Sequence, residues 1–314
     1  MKSTASAPGK VILFGEHFVV HGTKAILCSI DKRVTVSSKI INEKKITVKS
    51  NLGQISVNSS EPISKIKSSY KPFIFIAKKM IDEFNHHEGI SIEIDSSIPS
   101  GVGLGSSSAC CVAATGSISG LFTKLSKKHI VDLSIEAEKT IFEKASGADT
   151  TISTFGGIIE YGMGEFQPIK SKMNFSLVIA NSTIIHSTNK VVSKVNEFKK
   201  KNQFEFSELC KQESKLIHKA HDSIKNDDIV NLGKCMVENQ KYLQKIGVSN
   251  EKLQAMITIA EKSSFGAKIT GAGGGGCIIA LVNNSNIKET LENLKQQNYE
   301  CFTTKIGVEG LNTF

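Results

Sequence analysis

The stretch IPSGVGLGSSSACCVAA, residues 98–114, constrains the chain more than any other. Gly101, Gly103 and Gly105 alternate, so the backbone there can take positive φ and approach a ligand without a Cβ in the way. Ser106, Ser107 and Ser108 come next, followed by the small apolar run 109–114, which predicts a helix with a serine as its N-cap. A flexible loop feeding a helix N-terminus offers unpaired N–H groups and the positive end of a macrodipole, the usual setting for a phosphate. The serine hydroxyls add a metal ligand or a further phosphate contact. A glycine-rich turn capping a buried helix would carry the same letters, so the stretch needs support from the rest of the chain.

It is neither common nucleotide loop. A P-loop requires Lys-Ser/Thr after its last glycine, and the lysine is missing; the Rossmann fingerprint spaces its glycines G-x-G-x-x-G, against G-x-G-x-G here. The 314 residues allow two domains or one large one, and 39% hydrophobic with 22% charged residues fits a water-exposed globular chain. No apolar run reaches the length of a membrane span, and Glu16 and His17 interrupt the short apolar run near the start, against a signal peptide. Seven cysteines, odd in number and without a C-x-x-C pair, point to a reduced cytoplasm. The formal charge of +9 permits anionic partners, but Arg33 is the only arginine. Base-edge readout favours arginine, so the balance reads as a lysine-rich solvated surface and argues against nucleic acid.

Taken in order, residues 7–22 read APGKVILFGEHFVVHG. Residues 11–14 and 18–20 are strand-like with a bend at Gly15, and Lys10, Glu16, His17 and His21 are polar groups set among apolar ones. Charges in such company need a partner or a cleft; a wet surface hairpin is the plainer alternative. Short strands are expected at 25–30, 33–38, 46–50 and 54–57, then a helix behind Pro72 and a half-buried strand from Ile90 to the glycine loop. A helix starting near Ser126 carries Glu136 and Glu138. Residues 145–157 predict a turn and a short helix ending at paired glycines, and 158–161 a strand. The aperiodic segment 162–174 marks a boundary between domains 1–165 and 172–314. Beyond it the pattern predicts a strand at 175–180, a helix after residue 190, helices near 205–226, 229–242 and 251–262, strands at 267–270 and 277–282 around a glycine loop, a last helix and a final strand at 299–303.

Two glycine loops, acidic residues in separate elements and a buried-looking lysine form the inventory of phosphoryl transfer: a cradled triphosphate, a neutralising divalent cation and an oriented hydroxyl. Here the residues match a family. The chain resembles the GHMP small-molecule kinases, and within them the mevalonate-phosphorylating branch. PGKVILFGEH (8–17), PSGVGLGSS (99–107), SGADTTISTFGG (146–157) and ITGAGGGGC (269–277) carry the resemblance in order over nearly the whole chain. After Glu16-His17 stand Phe18-Val19, where galactokinases usually have a Thr-Asp pair.

The resemblance implies an α+β two-lobed fold, with an N-terminal ribosomal-S5-domain-2-like lobe, a C-terminal ferredoxin-like lobe and ATP between them. It also implies ATP- and Mg2+-dependent phosphorylation of the primary hydroxyl of mevalonate, in a family often homodimeric. Asp149 matches the catalytic aspartate and Lys10 the lysine beside it. Glu138 and Ser107 match the magnesium ligands. Pro99, Ser100, Gly101, Val102, Gly103, Leu104, Gly105, Ser106, Ser107, Ser108 and Ala109 match the loop that wraps the β- and γ-phosphates. Glu16, His17, Thr188, Gly271 and Ala272, with Lys10 and Asp149, match the acceptor side. Ser108 stands where the family usually has alanine, and Ala145 where proline is frequent. Another kinase of the same fold, a decarboxylase of a phosphorylated mevalonate, and a catalytically silent binding protein stay open at this level. Retention of Asp149, Lys10, Glu138 and Ser107 together argues against the last.

Overall fold

The computed structural model describes residues 1–99, 101–142, 146–172, 175–185 and 187–314. Ser100 of the phosphate loop, Ala145 of the turn before Asp149 and His186 therefore lie outside the described residues.

Two sheets organise the chain. The first begins with β1 (Lys2–Phe14) and β2 (Ala25–Ile41), paired antiparallel along most of their length. The expected strands at 25–30 and 33–38 are one: Asp31 and Lys32 break the apolar pattern and fall at a register shift in the pairing with β1, yet the strand runs on through them, and Thr304 Oγ1 donates to Asp31 Oδ1 at 2.6 Å. β3 (Lys45–Ser50) and β4 (Gly53–Asn58) form a hairpin, and β5 (Gly89–Ser96) lies between β2 and β3. β6 (Ile158–Gly162) pairs with β2, and β7 (Glu165–Pro168) pairs with β6.

Helices α1 (Lys71–Glu83), α2 (Ser106–Ser119) and α3 (Lys127–Glu138) pack together, with α2 against β1 and β2. α2 is made of small residues and is buried almost all round. A side chain at Gly116 would meet the Cβ of Ala5 at 3.1 Å, so the smallness lets the helix sit close on the sheet. α4 (Ala148–Phe155) ends at Gly156 and Gly157 as the paired glycines predict.

The second sheet has the order β11-β8-β10-β9, all antiparallel, from β8 (Ser176–Asn181), β9 (Gly266–Ile269), β10 (Cys277–Val282) and β11 (Glu300–Lys305). Between β8 and β9 come α5 (Thr188–Lys201), α6 (Gln203–Lys225), α7 (Ile229–Lys245) and α8 (Glu251–Glu261); α9 (Ile287–Lys295) joins β10 to β11. With its four helices counted as one crossover, this is the β-α-β-β-α-β plan of a ferredoxin-like lobe. The chain then crosses back: β12 (Asn312–Thr313) pairs with β1. The last residues thus belong to the first sheet. Arg33 holds this return. Its guanidinium donates to Glu309 O at 2.8 Å, Gly310 O at 2.7 Å, and Ser6 Oγ and O at 2.9 and 2.8 Å. Among the described residues no helix is long and apolar enough to cross a membrane.

Candidate active site

The cleft between the two lobes has a volume of about 530 Å³ and is lined from both. Its floor is the loop before α2. Val102 and Leu104 turn inward and are buried, while Gly101, Gly103 and Gly105 take φ of 74°, 82° and 74° between them. The N-cap of α2 is Gly105 rather than a serine, and no side chain caps that end. Ser106 and Ser107 are thereby left to face the cleft, and the helix start keeps free N–H groups for an anion.

Lys10 reaches this loop from β1. Its backbone N–H donates to Leu104 O at 2.9 Å and its ammonium to Gly103 O at 3.1 Å. The same Nζ stands 3.3 Å from Asp149 Oδ2. The stem of Lys10 lies over Gly105, where an added Cβ would come within 2.6 Å of Lys10 Cγ. Gly105→Ala therefore carries both a positive-φ penalty of about 1–2 kcal/mol and a displaced Lys10. Its expected result is a fall in kcat of at least about tenfold, out of proportion to a drop in melting temperature of a few degrees, read by steady-state kinetics beside calorimetry.

Asp149 lies in the first turn of α4, where the helix dipole favours a carboxylate. Gly147, at φ 78°, caps the helix, and Tyr161 Oη donates to Ser146 O at 2.6 Å to anchor the turn. The far end is held by the returning chain: Leu311 N donates to Thr154 O at 3.1 Å and Gly157 N to Val308 O at 2.8 Å. The aspartate side chain remains 35% exposed, open to a ligand, against 5% for Lys10.

Glu138 is the last residue of α3, and its carboxylate is buried. The hydroxyl that reaches it is that of Ser108, donating to Oε1 at 2.5 Å. Ser107, the serine expected to share its metal, is exposed on the cleft. Burial pushes the Glu138 carboxyl up to about 7, the Ser108 hydrogen bond opposes this, and the charge of Asp149 adds to it. A buried carboxylate that feels the charge of a second one, beside a hydroxyl, fits a divalent cation. Among the described residues no cluster of three or more His, Cys, Asp or Glu forms a metal cage, and magnesium needs none.

Without metal, the folded protein holds the Glu138 proton between pH 4.5 and about 7, where the unfolded chain has released it. Stability then falls as pH rises through that window, by on the order of 2–3 kcal/mol. Melting temperatures in EDTA at pH 5 and 7.5 are expected to show a steeper loss in the unaltered protein than in Glu138→Gln.

The acceptor side is built by residues 15–22. The apolar run 18–20, expected as a strand, is not one: Gly15 turns at φ 94°, Val19 N donates to Gly15 O at 3.0 Å, and Val19–His21 forms a 3-10 turn. This places His17 against the second glycine loop, its Nε2–H donating to Ala272 O at 2.8 Å, and burial lowers its pKa. Gly271 brings that loop up to the first one; a Cβ there would stand 3.8 Å from Gly103 O. Thr270 Oγ1 bonds both Ile12 N and Ile12 O, at 3.1 and 3.0 Å, across the lobes. Thr188, the first residue of α5, is exposed and lines the cleft with Val192, the buried Val195 and Asn196 of the same helix face.

Glu16 is buried, and its Oε1 accepts from Lys268 Nζ. Lys268, Glu213 and Asn239 beneath it were not anticipated. Their only trace in the sequence is a lone lysine in the short strand GAKI. A second cavity, of about 620 Å³, lies at the opposite end of α2 beside Lys124 and Phe314, with no facing acid–base pair.

A glycine loop at a helix start, with an aspartate–lysine pair over it and a buried glutamate beside it, is the arrangement that phosphoryl transfer calls for, on a two-lobed scaffold. The family descriptions "GHMP kinases N terminal domain" and "GHMP kinases C terminal" match residues 71–157 and 220–301. The chain belongs to the GHMP kinase family. Within it the similarity is to mevalonate kinases. That of Pyrococcus furiosus is 33% identical over 329 residues, covering 99% of this chain and 98% of that protein. The crystal structure of the Methanococcus jannaschii mevalonate kinase superposes with a TM-score of 0.87 at 33% identity, covering 96% of this chain and 98% of that one. The L. major mevalonate kinase, in complex with R-mevalonate, superposes at 0.82 with 25% identity, covering 97% and 96%.

Proposed function

We propose that this protein transfers the γ-phosphoryl group of ATP to the primary hydroxyl of mevalonate, giving 5-phosphomevalonate and ADP. The observation that carries the reading is the Lys10–Asp149 pair, 3.3 Å apart and set directly over the glycine loop. The triphosphate lies on that loop, its anionic oxygens met by the N-terminus of α2 and by Ser106 and Ser107. Lys10 has three N–H donors; Asp149 and Gly103 O take two, and the third is free for a transferring phosphoryl oxygen.

The acceptor enters between Thr188 and the Gly271–Ala272 loop, with Glu16 and His17 at its wall. Its primary hydroxyl sits against Asp149. As its oxygen bonds to the γ-phosphorus, the bond from that phosphorus to the β,γ-bridging oxygen breaks and the hydroxyl proton passes to the aspartate. Asp149 orients the hydroxyl first and receives the proton as the transfer proceeds. Glu138 and Ser107 would hold magnesium, which neutralises phosphate charge when bound; Ser108 keeps the Glu138 carboxylate in place.

The test is ADP release with purified protein, ATP and magnesium, run in parallel with mevalonate, phosphomevalonate and galactose. Release that depends on mevalonate is the expected result. Turnover of phosphomevalonate or galactose alone would move the protein elsewhere in the family, and carbon dioxide would mark a decarboxylase.

A further inference from the structure

Lys268 is the one charged residue of β9, and it is wholly buried. Its ammonium donates to Glu16 Oε1, itself buried under the loop at residues 15–17. Behind them stands Glu213 of α6. Its Oε1 accepts from Gly15 N at 2.9 Å, and Asn239 Nδ2 of α7 lies 2.8 Å from both of its oxygens. Residues from both lobes thus close a charged core beneath the acceptor wall. Apolar residues of the same volume would serve stability as well or better, so the cluster points to a role other than holding the fold.

Among the described residues two atoms of that core are left over, Asn239 Oδ1 and Glu16 Oε2, and only the second belongs to a residue that lines the cleft. Glu16 Oε2 is buried and has no hydrogen-bond partner, and Glu16 lines the cleft together with Lys10 and His17. A buried carboxylate oxygen without a donor is costly, and a ligand hydroxyl would satisfy it. Only the other oxygen is gripped by Lys268, which fixes the direction in which the free one presents. The loop itself is pinned separately by His17 on Ala272 O. Changing Lys268 therefore reorients Glu16 without releasing the loop.

We propose that Lys268 is a positioning residue for the acceptor subsite: by holding Glu16 Oε1 from beneath, it presents Oε2 to the hydroxyl of the bound acid that is not phosphorylated. This rests on the kinase reading above. Lys268 does not touch the substrate; it acts through Glu16. The consequence is selectivity, because an acceptor lacking the second hydroxyl leaves Oε2 unpaired in a closed site.

The experiment compares mevalonate with the same acid lacking its tertiary hydroxyl, 5-hydroxy-3-methylpentanoate, as acceptors. The unaltered protein is expected to prefer mevalonate by about 100-fold in kcat/KM. In Lys268→Met the preference should fall below about tenfold, with the KM for ATP within about threefold of its starting value. Glu16→Gln should lose the preference to a similar extent. The double variant Glu16→Gln/Lys268→Met removes both charges together and guards against a single variant that fails to fold. Its preference should equal that of Glu16→Gln alone, since Lys268 acts only through Glu16. A preference retained in Lys268→Met, or a double variant that departs more than about threefold from Glu16→Gln, overturns the proposal. Equal use of both acids by the unaltered protein overturns it while leaving the kinase reading intact. No turnover of mevalonate at all removes both.

Discussion

Asp149→Asn is expected to lower kcat by about 10³-fold, within the 10²–10⁴ that a positioned base contributes, while the KM for ATP stays within about threefold. The substitution is nearly isosteric and keeps an oxygen that can accept from Lys10, so the fold and the nucleotide loop are left alone. What is lost is the ability to take the proton of the attacking hydroxyl. The side chain is exposed to the cleft and is held by α4 at both ends, so asparagine stays in the same place. The kcat–KM split separates this role from a structural one. A fall in ATP affinity with kcat preserved would make Asp149 a binding residue and would remove it from the transfer step.

Lys10→Met is the second large effect, with kcat/KM expected to fall by about 10²–10³-fold through loss of transition-state charge stabilisation. Methionine keeps the stem that packs over Gly105 but not the donors to Asp149 and Gly103 O. Unlike Asp149→Asn, it should also raise the KM for ATP, because on the proposed reading the ammonium's remaining N–H serves the phosphates. Lys10→Arg is not expected to rescue activity: Lys10 is 4% exposed, its stem lies on a glycine, and a planar guanidinium has no room there. The double variant Asp149→Asn/Lys10→Met should lose much less than the two single losses combined, since the pair acts as a unit. Full additivity in steady-state kinetics would contradict the 3.3 Å contact as the working arrangement.

The parts of the site built on glycine were legible before any coordinates. Gly101, Gly103, Gly105 and Gly271 adopt positive φ, and backbone needs of that kind leave a mark on composition. The acids and the lysine were legible because the motifs that carry them are short and local. Contacts between distant segments left no such mark. Lys268 and Glu16 are 252 residues apart, and no periodicity in either segment announces the other. Ser108 was placed in the phosphate loop, where the family usually has alanine; its donation to Glu138 was not legible, because it depends on how α2 and α3 pack. The strand expected at 18–20 failed because an apolar triplet has no intrinsic period, and the turn at Gly15 decided its shape. β12 was missed because it has two residues; it forms where Arg33 and the turn at residues 309–310 deliver the chain to β1. The sole arginine, to which composition assigned no role, is a clamp on the returning chain.

The central claim is that an aspartate and a lysine from distant segments meet over a phosphate loop to pass the terminal phosphorus of ATP to a hydroxyl. Following the γ-phosphorus by ³¹P NMR, with protein, ATP, magnesium and mevalonate together, tests it most directly. The expected result is one phosphomonoester on the primary carbon of mevalonate for each ADP formed, and almost no such signal with Asp149→Asn. Inorganic phosphate in place of the ester, or an undiminished ester signal from Asp149→Asn, would contradict it.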